Sequence, residues 1–191
     1  CTIANNTASG STYDSGGGLW SQGSLTVFNC TITGNQADYG GGIAGNTTLA
    51  NTIIAGNTAA DGPDGAATFF SENYNLIQNT NGIIFSGLTA HNITGQSPLL
   101  GPLQYNGGPD IGYQLQTMTL LPGSPAIDKG TNFSGAMKDQ RGSPRTVEDS
   151  GSANAPGGDA TDIGAVETRP AFVVLNTNDS GSGSLRAAMT N

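Results

Sequence analysis

Positive charge is missing from residues 1–128, because all six Lys and Arg residues of the chain come later. Nucleic acid is therefore not an expected partner, since clustered Lys and Arg are needed to neutralise phosphates. Charged residues of both signs make up only 10% of the sequence, which excludes coiled coils and charged helical bundles. No apolar run approaches the roughly 18 residues that a membrane-spanning helix needs. We expect no membrane span in this segment.

Residues for metal binding and nucleophilic chemistry are also scarce. The chain has one histidine, His91, and two cysteines, Cys1 and Cys30, and two Cys supply at most half of a zinc shell. No motif around His91 supports a nucleophilic triad. The repeats described below place the cysteines in one inward-facing column, where stacked thiols usually lack the torsion of a disulfide. We expect two free, buried thiols, with a disulfide as the alternative, and the redox compartment stays open.

Glycine is abundant instead, with 30 residues, and short segments repeat. Cys1–Asn6, Cys30–Asn35 and Thr52–Asn57 align at spacings of 29 and 22 residues. Two further segment pairs also align, namely Gly16–Trp20 with Gly40–Ala44 and Leu25–Asn29 with Thr47–Asn51. Short strands with Gly or Asn at the corners and a period in the low twenties are typical of a parallel β-helix. The sequence predicts an all-β fold, a right-handed parallel β-helix (solenoid).

The alternation along these strands predicts which side chains face the core. Ile3, Ile32 and Ile54 fall in one buried column, whereas Thr31 and Thr33 point outward. Corner asparagines fall in register, so their amides satisfy one another and the turn backbone. The predicted asparagine ladders are structural and comprise Asn6, Asn35 and Asn57 in one column and Asn29 and Asn51 in another.

The chain divides into three parts. Parallel coils are expected over 1–96, an irregular C-terminal wrap over 97–170, and a short terminal strand followed by a cap-like helix over 171–191. The chain begins within a repeat, and its last segment is typical of the start of another unit. We therefore expect a linear array, formed by covalent tandem repeats or by head-to-tail copies. The residues predicted to serve assembly are Phe172, Val173, Val174, Leu175, Leu185 and Met189.

Five motifs follow one another in the second half of the chain. They are Ser97–Leu103, Asn106–Pro109, Leu121–Asp128, Asp139–Gly142 with Arg145, and Asp162–Glu167. The series resembles the C-terminal part of bacterial right-handed parallel β-helix surface proteins of the choice-of-anchor type, which are similar in pattern to polymorphic outer-membrane adhesins. The resemblance implies a secreted or cell-surface protein, and it carries no catalytic residue that transfers to this chain.

The only concentrated charges lie in the same region. An Arg guanidinium pairs with a carboxylate in a bidentate way, and either group is costly to bury alone. We therefore expect a structural ion-pair network that ties the wrap to the last coils. Its predicted members are Arg141, Arg145, Asp128, Asp139, Asp162 and Glu167.

Two functions follow from the sequence. The first is a non-catalytic structural module of an extracellular surface protein, filament or adhesin, with copies of itself as partners and glycans or host surfaces as further candidates. The second is a β-helix that binds or cleaves glycans, as a polysaccharide lyase or glycosidase. The first is favoured, because no Lys or Arg in residues 1–128 can act as a lyase base.

The glycan hypothesis centres on two acids. Asp14 and Asp38 each precede a Gly triplet by two residues, so stacking brings them to one side of adjacent coils. A close carboxylate pair suits a retaining glycosidase, and it equally suits Ca²⁺ together with backbone carbonyls. No cofactor is expected apart from Ca²⁺ at this pair. The aromatic residues available for stacking nearby are Tyr13, Trp20 and Tyr39.

Overall fold

The computed structural model describes residues 1–10, 13–108 and 114–169. All helices and strands assigned in these residues are β-strands, thirteen in number. The first seven strands are β1 (Thr2–Ala4), β2 (Leu19–Trp20), β3 (Leu25–Phe28), β4 (Thr31–Thr33), β5 (Ile43–Ala44), β6 (Thr47–Ala50) and β7 (Ile53–Ala55). The others are β8 (Gly65–Glu72), β9 (Leu76–Ile77), β10 (Ile83–Leu88), β11 (Ile93–Thr94), β12 (Gln104–Tyr105) and β13 (Gln116–Thr117).

Two parallel sheets contain the first eleven strands. The five-stranded sheet has the order β1-β4-β7-β9-β11, and the six-stranded sheet has the order β2-β5-β8-β6-β3 with β10 also paired to β8. The long strand β8 pairs with β5 through its first residues and with β6 through later ones, so it joins two arms of one sheet. Strands β12 and β13 form a small antiparallel pair. The chain therefore visits the two sheets alternately, and we call one such circuit a coil.

The register between coils aligns apolar side chains in columns. Ile3 pairs with Ile32, Ile32 with Ile54, and Ile54 with Ile77. Ile3 is half-buried, and the other three are fully buried. Because the pairing is parallel, each column runs through successive coils along one face. The core cluster between the two sheets consists of Val27, Ile32, Ile43, Leu49, Ile54, Phe69 and Ile77.

Each of the first coils turns at three corners where the backbone is left-handed. A left-handed φ favours Gly, and Asn tolerates it better than other residues do. A side chain is also excluded by space at Gly34, whose Cβ would lie 2.4 Å from the side-chain oxygen of Asn5. The corner residues, grouped by column, are Asn5, Gly34 and Gly56; Gly16, Gly40 and Gly62; and Asn29, Asn51 and Asn73.

The wrap, which is residues 97–169 where described, runs back along the outer face of the five-stranded sheet. Its apolar residues form a second core cluster with that face, composed of Ile53, Ala55, Leu76, Leu120, Ala126, Ile127 and Ile163. Over 131–140 the wrap reaches progressively earlier coils, as Thr131 bonds Asn51, Ser134 bonds Asn29 and Gln140 bonds Thr2. It then turns back towards later coils, because the carbonyl oxygen of Pro156 accepts the Tyr74 hydroxyl.

The wrap changes the environment of the outward threonines. Thr31 and Thr33 point away from the inner core as predicted from the alternation, but they are buried, with exposed fractions of 1% and 9%. Thr31 accepts a hydrogen bond from the backbone N–H of Ala165 at 3.1 Å. The outward face of these strands therefore meets the wrap. Strand β9 begins only at Leu76, because Asn73 and Tyr74 before it have positive φ.

Two further expectations concern the cysteines and the chain end. Both cysteines are free thiols, and neither is fully buried, since Cys1 is exposed and Cys30 is half-buried. The predicted terminal strand and cap-like helix fall within 171–191 and lie outside the described residues. In the part of the chain that is described, no helix has the length and apolar character required to cross a membrane.

Replacement of a core isoleucine tests the columns. Ile32→Ala removes a fully buried side chain between Ile3 and Ile54 and is expected to lower the free energy of unfolding by about 2–4 kcal/mol. Ile84→Ala is the matched control, because Ile84 lies in β10 and is 68% exposed, so its cost is expected to stay below about 0.5 kcal/mol. Urea denaturation followed by circular dichroism measures both values. Equal costs for the two variants contradict the assigned register.

The corner geometry is tested at Asn51. This residue has φ 48° and donates from its amide to Asn29 Oδ1 and to the carbonyl oxygen of Asp162, both at 2.9 Å. Asn51→Gly loses these bonds, whereas Asn51→Ala also forces a Cβ into the left-handed region. We expect a loss of about 1–3 kcal/mol for Asn51→Gly and about 1 kcal/mol more for Asn51→Ala. Thermal denaturation of both variants is the measurement, and an alanine variant as stable as the glycine variant refutes the corner argument.

Candidate functional site

One asparagine ladder runs through three coils and ends at a carboxylate. The Asn6 amide donates to Asn35 Oδ1, and the Asn35 amide donates to Asn57 Oδ1, each at 2.9 Å. The Asn57 amide then donates to Asp64 Oδ1 at 2.9 Å. Each of these oxygens also accepts the backbone N–H of the donor residue. A carboxylate only accepts, so Asp64 terminates the chain of amide bonds.

Asp64 was not identified from the sequence as part of this ladder. It is fully buried, and its second oxygen accepts the backbone N–H of Asn79 at 2.7 Å. Burial raises the pKa of the Asp64 carboxyl, while its bonds to Asn57 and Asn79 oppose the rise. In the sequence Asp64 follows Gly-Pro and precedes Gly, which is the pattern of an ordinary solvated turn. No local signal distinguishes a buried ladder terminus from a solvated turn residue.

The second predicted ladder, Asn29 with Asn51, connects the coils to the wrap. The amide of Asn29 donates to Ser134 Oγ at 2.7 Å, beyond its bond from Asn51. Asn51 Oδ1 accepts the backbone N–H of Thr131 at 3.3 Å. Both partners in the wrap lie far away in sequence, so the alignment of repeats predicts the Asn–Asn contact but not these additional bonds.

A third ladder includes residues that the sequence analysis missed. The backbone N–H of Cys30 donates to Thr52 Oγ1 at 3.4 Å, that of Thr52 to Asn75 Oδ1 at 3.1 Å, and that of Asn75 to Asn92 Oδ1 at 3.0 Å. The available signal was positional, since Asn75 and Asn92 each directly precede a strand that begins with Leu or Ile. Asn and Thr thus continue a column that the two cysteines begin.

Asp139 is the centre of the predicted ion-pair region. Its Oδ2 accepts two N–H groups of the Arg141 guanidinium, at 2.9 and 2.7 Å, and the backbone N–H of Glu167 at 3.0 Å. Its Oδ1 accepts the backbone N–H groups of Arg141 and Ser143 at 2.8 and 3.0 Å. Both guanidinium donors share one oxygen, so the contact differs from the expected two-oxygen fork. Five donors surround a single buried carboxylate.

The other three acids are held mainly by the backbone. Glu167 accepts from Val147 N–H at 2.9 Å and from Asp162 N–H at 3.2 Å. Asp162 Oδ1 accepts from Asp128 N–H at 2.8 Å, and Asp128 Oδ2 accepts from Asp149 N–H at 3.1 Å. Each of these carboxylates therefore accepts a backbone N–H group from another part of the wrap. Glu167, Asp162 and Asp128 are all buried.

Burial determines the protonation of these acids. Desolvation raises the pKa of Glu167 from its ordinary 4.5 to about 8, and the neighbouring Asp162 carboxylate adds to the rise. Desolvation also raises the pKa of Asp128 from 3.8 to about 6 and raises the pKa of Asp162. A buried carboxylate with no ion pair is more stable in its neutral form. Glu167 is consequently protonated in the folded protein at neutral pH.

Arg145 departs from the predicted network. Its guanidinium is buried and donates to the carbonyl oxygens of Gly164 and Ala165 at 3.1 and 3.2 Å. The ion pair within the described residues is Arg141 with Asp139. Arg145 makes no direct ion pair with a described residue and contacts carbonyl groups instead, although the nearby carboxylates of Glu167, Asp139 and Asp162 favour its charged form. The six residues do lie together, but turn N–H groups replace most of the expected salt bridges.

The Asp14 and Asp38 face lies at the corner between the two sheets. The carbonyl oxygen of Asp14 accepts the N–H groups of Asp38 and Tyr39, each at 3.0 Å, and Asp38 Oδ2 lies 3.4 Å from the N–H of Asp14. Tyr39 bridges Ser15 on one side and Asp61 on the other. Across the described ranges, no group of three or more His, Cys, Asp or Glu side chains is placed to hold a metal ion. The backbones of Asp14 and Asp38 therefore lie on adjacent coils.

Two clefts accompany these features. One, of about 510 Å³, lies beside the end of the ladder and is lined by Asn57, Asp64, Gln78, Asn79 and Thr80 among others. The second, of about 640 Å³, lies on the wrap between Leu120 and Arg169. Lys129 lines the second cleft, and its ammonium group donates to the carbonyl oxygen of Ile127 and to Ser152 Oγ at 3.0 Å. Lys129 therefore serves to hold the wrap.

The raised pKa of Glu167 predicts a fall in stability as pH rises. The unfolded chain releases this proton near pH 4.5, and the folded chain keeps it to about pH 8. Between these values the free energy of unfolding is expected to decrease by about 1.4 kcal/mol per pH unit from this group, with Asp128 adding to the decrease below about pH 6. Urea midpoints measured from about pH 5 to about pH 8 provide the test.

The matched variant for this prediction is Glu167→Gln. Glutamine resembles the neutral acid and cannot ionise, so the variant is expected to lose most of the slope above about pH 6 and to exceed the parent in stability near pH 8. Glu148→Gln is the control, because Glu148 is exposed and its removal is expected to leave the slope above about pH 6 unchanged. A Glu167→Gln variant with the parent's pH profile shows that Glu167 is not the titrating group.

The Asp139 centre predicts a second effect. Arg141→Ala removes the cationic partner of a carboxylate that is itself fully buried and is expected to cost roughly 2–4 kcal/mol. A double-mutant cycle with Asp139→Asn tests the origin of the loss, because an uncharged side chain no longer needs the guanidinium. Arg141→Ala is therefore expected to cost less in the Asp139→Asn background than in the parent. A melting temperature of Arg141→Ala equal to the parent's rules out the ion pair as a stabilising contact.

Comparison with known proteins identifies no relative of this chain. No protein-family model matches the chain, and neither a curated protein nor a solved structure matches it. The inference of function therefore rests on the residues of the chain itself, and above all on the ladders, the buried acids and the Asp14 and Asp38 face.

Proposed function

We propose that this chain is a section of a right-handed parallel β-helix and that it serves as a non-catalytic structural module of an extracellular surface protein. The observation that carries the proposal is the repeated register from coil to coil. β1, β4 and β7 pair in sequence with aligned residues, and β3 pairs with β6 in the same way. Such stacking builds a long, stiff element from short repeats.

The use of polar side chains supports a structural role. Asp64, Asp139, Asp162 and Glu167 all accept backbone N–H groups and are buried, with exposed fractions from 0% to 7%. A general acid or a nucleophile must reach the substrate's reacting atoms within hydrogen-bond distance. Carboxylates enclosed in this way stabilise turns, because their oxygens are occupied by backbone N–H groups.

The location and the array rest on other grounds. The extracellular location is supported by the resemblance of residues 97–167 to surface proteins. Assembly into a linear array, by tandem repeats or head-to-tail copies, is supported by the strand-like sequence Phe172–Leu175 and the amphipathic sequence Ser184–Met189. A parallel edge strand presents unpaired backbone groups, and an added strand satisfies them.

Surface labelling tests the proposed role. Antibodies raised against the protein are expected to label intact cells of the source organism, and protease treatment of those cells is expected to remove the label. A protein detected only after permeabilisation refutes the extracellular location.

Deletion of 171–191 is expected to reduce assembly seen by light scattering and electron microscopy. Unchanged assembly refutes an array whose copies are joined head to tail through this segment.

A glycan-cleavage assay distinguishes the glycan-active alternative from the structural role. A glycan array combined with a reducing-sugar assay is expected to show no cleavage by the parent protein. Cleavage that disappears in Asp14→Asn or Asp38→Asn, with an unchanged melting temperature, assigns catalysis to the stacked acids and overturns the structural proposal.

A further inference from the structure

Exposed aromatic side chains cluster at the corner near Asp14. Tyr13, Trp20 and Tyr39 have exposed fractions of 85%, 58% and 40%. The contacts that bring two of them together are short: the N–H of Gly16 donates to the carbonyl oxygen of Tyr39 at 2.9 Å, and a Cβ at Gly16 would lie 2.5 Å from that of Trp20. The backbone of Tyr39 and the Cβ of Trp20 therefore both lie beside Gly16. Exposed aromatic surface of this kind marks an interaction site more often than isolated exposed residues do.

The charge beside these rings has one sign. Asp38 directly precedes Tyr39 and is exposed, and Asp61 pairs with Tyr39 across the coils and is exposed as well. The N–H of Asp61 donates to the carbonyl oxygen of Asp38 at 3.4 Å, which places the two acids on adjacent coils. Since residues 1–128 contain no Lys or Arg, no basic side chain of the coils neutralises these carboxylates. We call Tyr13, Trp20, Tyr39, Asp38 and Asp61 the aromatic patch.

We propose that the aromatic patch binds a basic polypeptide segment. The face of an aromatic ring attracts ammonium and guanidinium groups, most strongly for Trp, and neighbouring carboxylates attract the same groups. Lys and Arg side chains of an extended peptide satisfy both requirements, because their apolar stems cover the rings while their cationic ends reach Asp38 and Asp61. A neutral glycan satisfies the rings but gains nothing from the negative charge of Asp38 and Asp61. Charge complementarity therefore selects the peptide.

Trp20 makes the binding measurable without a label, because it is the only tryptophan of the chain. Titration of the full chain with hexalysine at low salt is expected to change the Trp20 emission to saturation, and a tenfold increase in NaCl is expected to weaken binding several-fold. Relative to its effect on free N-acetyltryptophanamide, caesium is expected to quench Trp20 more efficiently than iodide, since negative potential concentrates cations near the ring. Equal relative quenching by the two ions, or no response to hexalysine, overturns the proposal.

Matched variants locate the site. Tyr39→Ser is expected to weaken hexalysine binding about two- to fivefold, and Tyr105→Ser, which removes a tyrosine of similar exposure elsewhere, is expected to leave it unchanged. Asp38→Asn with Asp61→Asn is expected to weaken it further and to reduce its salt dependence, in contrast to Glu148→Gln. Circular dichroism and the melting temperature show that each variant is folded.

A neutral competitor decides between ligand classes. Maltohexaose and cellohexaose are expected to leave the Trp20 emission and the hexalysine affinity unchanged. If either sugar changes the Trp20 emission and the two Asp variants bind hexalysine as the parent does, the patch is a glycan site and the peptide proposal is wrong. Neither result bears on the structural role proposed above, which depends on the ladders and the buried acids.

Discussion

Backbone hydrogen bonding between successive coils is the constraint on which the rest of the structure depends. Each coil must follow the path of the one before it, because its N–H and C=O groups are satisfied by that neighbour. The path turns sharply, so residues at equivalent corners share a left-handed φ, as Asn29 and Asn51 do. Once the backbones are in register, side chains of equal type meet. The isoleucine column and the asparagine ladders both follow from that one condition.

The wrap alters the energetics that simple stacking produces. A solenoid is stabilised by contacts between nearest neighbours, so its ends open independently of its middle. Here the wrap contacts four coils through Thr2, Asn29, Asn51 and Leu76, and opening any of them exposes part of the second core. The acids anchor the wrap by accepting backbone N–H groups, but their burial removes water from the carboxylates. The raised pKa values of Asp128 and Glu167 result from this desolvation.

The alignment of repeats predicts local and periodic features well. Ile32 against Ile54 and Asn35 against Asn57 follow from sequence spacing, because stacked coils convert equal position into contact. Contacts between distant segments have no such signal. The burial of Thr31 depends on where the wrap lies, and the bonding of Arg145 to carbonyl groups depends on turn geometry. Charge content alone favours salt bridges, whereas the folded turns supply N–H donors that the sequence does not reveal.

The contacts of the wrap with successive coils limit how freely the number of coils can change. Repeated sequences lengthen and shorten readily by unequal recombination, and a gain of one 22-residue repeat shifts every later coil by about 4.8 Å along the stack. An insertion between Asn29 and Asn51 would pull apart the two anchors at Ser134 and Thr131, which are only three residues from each other in sequence. The wrap would need one or two more extended residues to follow. Coil number and wrap length must therefore evolve together, which confines variation to paired changes.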